Sequence, residues 1–382
     1  MSSGSSGKSA AERGKTDEEF GRAEAPTARF EIRFRQLLRP DATTTGGLPP
    51  FARDNGELIA LYEGMALTRA FDEKAIALQR TGRLGTYASS IGQEAVSIGL
   101  ASAMRPEDVL IPSFREHGAQ LWRGVTPREL FLFWGGDERG SDFSGPRDDF
   151  PVSIPVASHF PHAAGAALAF RQRDEARVAV AVAGDGATSK GDFYESLNLC
   201  GLWKLPVIFV VTNNQWAIST PRRAQTAAET LAQKAIAAGV PGEQVDGNDV
   251  IAVRHATDLA LARARSGQGP TVIEALTYRL SDHTTADDAS RYRDDEEVSR
   301  HWPEEPLSRL RAYLVSQGAW DKEKEQRLLD RCRRQIDEEA EAYLAIPPQE
   351  PGSIFDHLFA ERPRALDEQY HRVTSSAGGD DA

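Results

Sequence analysis

The sequence lacks several features that would mark a secreted, membrane-spanning or nucleic-acid-binding protein. Among its 382 residues are two cysteines, Cys200 and Cys332. Neither has the spacing of a metal ligand, so two reduced thiols are expected. No apolar run is long enough to cross a bilayer. The chain has 45 basic and 57 acidic residues and no dense basic patch, which makes nucleic acid and anionic membranes poor candidates as partners.

The first 50 residues also lack a hydrophobic signal region. They are polar, rich in Gly, Pro, Ser and Thr, and contain the acidic residues that transit peptides avoid. This composition predicts a disordered or extended arm over residues 1–50 and a cytoplasmic location.

The middle of the chain alternates between strand and helix patterns. Residues 177–183 and 206–212 are short apolar runs typical of buried parallel strands, and a helical segment over residues 192–203 separates them. Strand, helix and strand at this spacing predict a βαβ unit. The later segments predicted in the same way are helices over 230–239 and 251–266 and a strand over 271–278. The fold class expected is α/β, with a parallel sheet covered by helices on both faces.

The pattern divides the folded chain into two parts. We expect an α/β domain over residues 51–300, in which residues 55–81 form the first helix. Charged helical stretches such as residues 321–345 dominate afterwards, and they predict a C-terminal helical extension over residues 301–382. The last residues, 375–382, are expected to fray.

Polar residues follow two neighbouring predicted strands where ligands of open parallel sheets bind. Gly184-Asp185-Gly186 ends the first strand and Asn213-Asn214 ends the next. Asp185 offers an anionic oxygen and Asn214 a neutral amide oxygen, a combination that suits magnesium. The helix that follows Gly186 directs its positive end to the same place, which favours a diphosphate. Either element alone is more often an ordinary turn or loop.

Together the two elements resemble the thiamine diphosphate motif, because 26 residues separate Gly186 from Asn213. Longer strings are similar to the alpha chains of pyruvate and branched-chain 2-oxo acid dehydrogenases: GDGATSKGD from Gly184, NNQWAIST from Asn213, VDGND from Val245, GQE from Gly92 and PSFREH from Pro112. The resemblance covers residues 55–360. It implies the thiamine diphosphate-binding fold, with thiamine diphosphate and magnesium as cofactors.

The resemblance also assigns roles to residues of the site. The side chains of Asp185 and Asn214 and the backbone carbonyl of Trp216 would hold magnesium. Gly186 and Ala187 would lie against the diphosphate.

Five further residues match positions of the family's site. Phe114 and Arg115 would grip the diphosphate, for which a forked guanidinium is well shaped. Ile154 and Val156 would meet the aminopyrimidine, although a core strand is an alternative for this segment. His283, in the loop TYRLSDHTTADDASRYR, would lie beside the diphosphate and the active-site channel and would be catalytic; the alternative is an exposed loop histidine.

Three positions bear on regulation or depart from the family. Thr284 matches a position that kinases modify in mitochondrial relatives. His159 stands where many relatives have Gln, near a potassium site that would involve Ser153, Pro155 and Ser158, so the resemblance does not imply potassium here. Thr212 stands where branched-chain relatives often have Arg, so one diphosphate contact would be missing or supplied elsewhere.

The family resemblance implies partners as well. Activation of the aminopyrimidine requires a glutamate from a beta chain, because no second sheet domain is present to supply it. We therefore expect an alpha2beta2 heterotetramer that oxidatively decarboxylates a 2-oxo acid, pyruvate or branched-chain, and passes the acyl group to the lipoyl group of an acyltransferase component. A transketolase-like enzyme and a non-catalytic relative are the alternatives. A dinucleotide-binding oxidoreductase is disfavoured because no GxGxxG follows the first strand.

Overall fold

A parallel sheet organises residues 27–376, the part of the chain that the structure, a computed structural model, describes. Its six strands lie in the order β1-β7-β8-β4-β3-β2. They are β1 (Phe34–Arg35), β2 (Val109–Ile111), β3 (Ala179–Gly184), β4 (Val207–Asn213), β7 (Gly242–Asp246) and β8 (Thr271–Leu276). Every neighbouring pair in this sheet is parallel. A small antiparallel ribbon, β5 (Trp216–Ala217) with β6 (Thr220–Pro221), follows β4.

Helices cover both faces of the sheet, as the fold class predicted. One face packs on α5 (His159–Gln172) and α6 (Gly191–Trp203), and the other on α2 (Glu94–Ala103) and α8 (Val250–Arg265). Because side chains alternate along a strand, Ala179, Ala181 and Ala183 face the first pair while Val180 and Val182 face the second. Burial on both faces explains the continuous apolar runs in the sequence.

A second layer of helices packs outside α2. The long helix α1 (Asn55–Arg80) contacts α10 (Pro306–Ser316) and α11 (Lys322–Leu344). Tyr62 and Trp320 both donate to the Glu325 carboxylate, at 2.8 and 2.7 Å. The C-terminal helices therefore pack on the domain through the first helix. The remaining helices are α3 (His117–Trp122), α4 (Pro127–Trp134), α7 (Arg222–Gln225), α9 (Asp295–His301) and α12 (Asp367–Ser376).

Two segments differ from the sequence-based expectations in detail. Ala232–Ala238 forms a 3-10 helix rather than an α-helix, and its start is held by Glu274, whose carboxylate accepts from the backbone N–H groups of Leu231 and Ala232 at 2.8 and 3.0 Å. In the predicted N-terminal arm, β1 pairs with β7 and Leu38 is buried. Residues 1–26 and 377–382 lie outside the described part, so the arm and the fraying of the C-terminus stay predictions.

Candidate cofactor and active site

A cavity of about 730 Å³ opens at the carboxyl edge of the sheet, beyond β3 and β4. The structure brings all ten sequence-predicted site residues to its wall. They are Phe114, Arg115, Ile154, Val156, Asp185, Gly186, Ala187, Asn214, Trp216 and His283. The cavity is where ligands of open parallel sheets are expected.

The register of β3 and β4 places Asp185 and Asn214 at the floor of this cavity. Gly184 pairs with Thr212, so each polar residue lies just past the end of its strand. Asp185 is 1% exposed and Asn214 is 5% exposed. The Asp185 carboxylate accepts from the Gln225 amide at 2.5 Å, and no described cationic side chain forms an ion pair with it. Burial raises the pKa of Asp185. A buried carboxylate without a cationic partner fits a bound cation.

A strained turn after Asn214 presents the backbone of Trp216. Gln215 adopts a φ of +73°, which lies in the left-handed region that residues other than glycine rarely occupy. The Gln215 amide donates to Asn213 Oδ1 at 2.9 Å, and the Trp216 N–H donates to Asn214 Oδ1 at 3.2 Å. The Trp216 carbonyl accepts from Arg279 at 3.4 Å, which leaves one of its two lone pairs free.

Arg115 and His283, which also line the cavity, contact each other. Arg115 Nη2 lies 3.2 Å from His283 Nδ1 and donates to the His283 carbonyl at 3.0 Å. Its other amino group donates to the Ser89 carbonyl. The Phe114 ring stands edge-on to His283, with centroids 6.0 Å apart. Arg115 is only 7% exposed, and burial followed by repulsion from Arg279 lowers its pKa to about 10. It therefore stays charged at neutral pH.

His283 is held as a neutral imidazole. Burial, followed by Arg115 and Arg279, lowers its pKa to about 4. Arg279 Nη1 also lies 3.2 Å from His283 Nδ1. Because both guanidiniums can only donate, Nδ1 must be the acceptor and Nε2 must carry the proton. His283 is half-buried and borders the cavity, so it is not the exposed loop residue of the alternative interpretation. Its Nε2 has no hydrogen-bond partner among the described residues.

Three buried arginines in and beside the loop of residues 277–293 lack the ion pairs that buried charges usually have. Arg115, Arg279 and Arg293 are all buried, and none forms an ion pair with a described carboxylate. Arg279 is fully buried and donates to the Ile218 carbonyl and the Tyr292 hydroxyl, at 2.9 and 2.8 Å. Buried charges are normally paired. Arg115, the member of this group that borders the cavity, therefore favours an anionic ligand there.

Ile154 and Val156 lie at the rim of the cavity. Their side chains are 51% and 50% exposed, and neither residue belongs to a strand. The core-strand interpretation of this segment is therefore wrong. Two large apolar side chains left half-exposed beside a cavity are suited to contact a ligand or a second chain.

The residues that would form a potassium site lie close together. Ser153 Oγ and Ser158 Oγ are 3.1 Å apart, and Ser158 Oγ donates to the Pro155 carbonyl at 2.9 Å. His159 turns away from them, with Nε2 2.8 Å from the Val182 carbonyl. Thr212 borders the cavity. Thr284 also borders the cavity and is half-buried.

The turn after β3 differs from the expectation in one respect. Asp185–Ser189 is a 3-10 helix, and α6 begins only at Gly191. The N-terminus of α6 is nevertheless near the cavity, because Lys190 borders it. Gly186 is required for packing, since a Cβ there would lie 2.8 Å from the Cβ of Ala217.

Sequence reasoning missed two residues of this site. Arg279 lies within the quoted loop, four residues before His283, and a charged residue that close to a predicted catalytic group was a usable signal. Gln93 served only as part of the GQE string, yet it borders the cavity and contacts Asn214.

Two kinds of feature are absent from the described residues. Within residues 27–376, no group of three or more His, Cys, Asp or Glu side chains has the arrangement of a metal site. A site built from one carboxylate, one amide and one carbonyl does not belong to that type. No helix in the same range has the length and apolar character needed to cross a membrane.

The fold and the cavity define an α/β protein that binds a ligand at the carboxyl edge of a parallel sheet. The family model described as "Dehydrogenase E1 component" matches residues 62–351, and the chain belongs to this family. The predicted family and fold class are thus confirmed.

Named relatives agree with this assignment. The chain is 42% identical over 340 residues to the 3-methyl-2-oxobutanoate dehydrogenase subunit alpha of Mycobacterium tuberculosis, covering 88% of this chain and 92% of the relative. It is also 42% identical over 337 residues to the pyruvate dehydrogenase E1 component subunit alpha of Staphylococcus epidermidis, covering 88% and 91%. The corresponding Staphylococcus aureus protein is 41% identical over 315 residues, covering 82% and 85%.

Proposed function

We propose that this chain is the alpha subunit of a 2-oxo acid dehydrogenase. Together with a beta chain it would oxidatively decarboxylate a 2-oxo acid and transfer the acyl group to a lipoyl group of an acyltransferase component. Family membership and the names of the relatives support this function. The observation that carries it is the charge pattern of the cavity, which is lined both by the buried Asp185 carboxylate without a cationic partner and by the buried Arg115 guanidinium without an ion pair.

The cavity residues fit thiamine diphosphate with magnesium. Asp185, the Oδ1 of Asn214 and the carbonyl of Trp216 supply the hard oxygen atoms that magnesium prefers. When bound, thiamine diphosphate supplies the electron sink that decarboxylation requires.

The diphosphate would be held beside Arg115, Gly186 and Ala187. Arg115 would provide a permanently charged, forked donor, and Gly186 and Ala187 would bring backbone close to the phosphates. Phe114 packs against His283 and holds that part of the cavity wall in place.

His283 would act on the substrate side of the cavity. Its neutral ring offers the Nε2–H as a donor, which can stabilise negative charge on a reacting oxygen and orient the acyl acceptor. Ile154 and Val156 would contact the aminopyrimidine and would be covered by the beta chain, which also supplies the activating glutamate. An alpha2beta2 stoichiometry and a cytoplasmic location belong to the same proposal.

The reaction is tested by co-expressing the chain with its beta chain. Pyruvate and 3-methyl-2-oxobutanoate would each be assayed with an artificial electron acceptor, with and without thiamine diphosphate and magnesium. We expect cofactor-dependent turnover of at least one substrate. Absence of turnover with both substrates, in a complex that binds the cofactor, would identify a non-catalytic relative.

The cofactor site is tested separately by Asp185→Ala. Loss of the carboxylate should abolish magnesium-dependent binding of thiamine diphosphate, measured by calorimetry on the complex. Asp258→Ala is the matched control, because Asp258 lies on α8 and does not border the cavity. Unchanged affinity in the Asp185 variant would contradict the site.

A further inference from the structure

A chain of amide hydrogen bonds runs from the Trp216 backbone to Gln93. The Trp216 N–H donates to Asn214 Oδ1 at 3.2 Å, and Asn214 Nδ2 donates to Gln93 Oε1 at 3.0 Å. The first donor is a backbone N–H, which cannot accept. The orientation of both side-chain amides therefore follows from it without ambiguity.

This orientation leaves Gln93 itself unsatisfied. Gln93 is 3% exposed, and its Nε2 is buried without a hydrogen-bond partner among the described residues. A buried N–H group that lacks an acceptor destabilises a fold. Gln93 also borders the cavity. The arrangement thus satisfies Asn214 and leaves a donor of Gln93 for a ligand.

The backbone around Gln93 is held in place from several sides. Gln93 directly precedes α2, whose first residue, Glu94, is fully buried and accepts from Arg69 at 2.5 Å and from the Gly92 N–H at 2.9 Å. The Gly92 carbonyl accepts from Thr277 Oγ1 at 2.8 Å. The backbone position of Gln93 is therefore fixed, which suits this residue to hold another side chain.

We infer that Gln93 is the positioning residue of the magnesium site. It holds Asn214 so that Oδ1, the only atom of this side chain able to bind a cation, is the atom offered to the metal. This inference rests on the proposed function, which assigns Asn214 to magnesium. Without an acceptor for Nδ2, only the weak 3.2 Å bond from the Trp216 N–H holds the Asn214 amide in this orientation, and the amide turns over more readily and presents a donor to the cation, which repels it.

The first test compares two glutamines in the complex with the beta chain. Gln93→Leu removes the acceptor, and the dissociation constant of Mg²⁺, measured by calorimetry at saturating thiamine diphosphate, should rise roughly 10- to 100-fold, as for other partners that orient metal ligands. Gln120→Leu is the control, because Gln120 is 2% exposed and also has an unpartnered Nε2 but does not border the cavity. Gln93→Glu keeps an acceptor for Nδ2 and should restore most of the affinity for Mg²⁺.

A second test uses the symmetry of a carboxylate. In an Asn214→Asp background both ligand oxygens are equivalent, so no orientation is needed and Gln93→Leu should have little effect on the Mg²⁺ dissociation constant. An equal rise in both backgrounds would overturn the inference, because it would show a merely structural effect.

The two proposals fail in distinguishable ways. If the unsubstituted complex binds Mg²⁺ and Asp185→Ala does not, while Gln93→Leu binds as tightly as the unsubstituted complex, the positioning role is wrong and the proposed function stands. If the unsubstituted complex shows no Mg²⁺-dependent cofactor binding, the proposed function itself is wrong.

Discussion

Replacing Arg115 by glutamine should weaken the binding of thiamine diphosphate without weakening the fold. Arg115 is buried, and no described carboxylate pairs with it. Burial lowers its pKa from 12.5 to about 10. This difference means that the charge destabilises the folded chain by about 3 kcal/mol at neutral pH.

The hydrogen bonds of Arg115 act in the opposite direction. It contacts the carbonyls of Ser89 and His283 and the Nδ1 of His283. Each such bond stabilises the fold by about 1 kcal/mol. Removing both the charge and its bonds should therefore change the free energy of unfolding by only about 1 kcal/mol in either direction.

The affinity for the cofactor should fall much further. Two charge-assisted hydrogen bonds to a phosphate contribute about 3 kcal/mol or more, which corresponds to roughly a 100-fold higher dissociation constant. Calorimetry on the complex with thiamine diphosphate measures this change. Thiamine, which has no phosphate, is the ligand control, and its weaker binding should be unaffected by the substitution.

A second arginine provides the protein control. The side chain of Arg123 is also buried, but it pairs with Asp149 at 2.6 Å, outside the cavity. Arg123→Gln leaves a buried carboxylate unpaired and should destabilise the fold by roughly 3–5 kcal/mol. The reasoning is refuted if Arg115→Gln lowers the thermal midpoint as much as Arg123→Gln does while the cofactor dissociation constant stays the same.

Two histidines give predictions about pH. Because the pKa of His283 is about 4, its ring stays neutral from pH 6 to 8. In His283→Gln, kcat should fall, but any inflection of kcat/KM between pH 6 and 8 should persist. If that inflection disappeared in the variant, the neutral state assigned to His283 would be contradicted. His117 is fully buried between Trp134 and Tyr87, and its pKa is about 3, below the unfolded value of 6.5. Stability should therefore be complete above pH 6.5 and decrease by up to about 5 kcal/mol as the pH falls towards 3. Thermal midpoints should show His117→Gln to be less sensitive to acid than the unsubstituted chain, and equal sensitivity would count against this account.

The strands and the floor of the site were predictable because their signals are local. An apolar β-branched run identifies β3 or β4 without knowledge of the rest of the chain. Asp185 and Asn214 follow those runs directly, and parallel strands bring their carboxyl ends to one edge. The sequence pattern therefore predicted that Asp185 and Asn214 lie at the same cavity.

The long-range contacts of the site were not predictable from such local patterns. Arg115 contacts His283 across 168 positions of sequence, and Asn214 contacts Gln93 across 121. No periodicity records such pairs. Only the resemblance to a family suggested Arg115 and His283, and Arg279 was not singled out although it lies four residues before His283. The exposure of the Ile154 and Val156 side chains likewise depends on where the rest of the fold places the cavity.

Two buried arginines elsewhere in the described chain are paired with carboxylates. Arg69 pairs with Glu94 and Glu305, and Arg309 pairs with Asp246. At the cavity Arg115 and the Asp185 carboxylate have no such partner, and the side-chain amide of Gln93 has no acceptor. Each of these groups makes the fold less stable, and each has the charge or donor that magnesium diphosphate would complete. The ligand should therefore stabilise the complex strongly on binding, and the thermal midpoint should rise with cofactor concentration in the unsubstituted complex but not in Asp185→Ala.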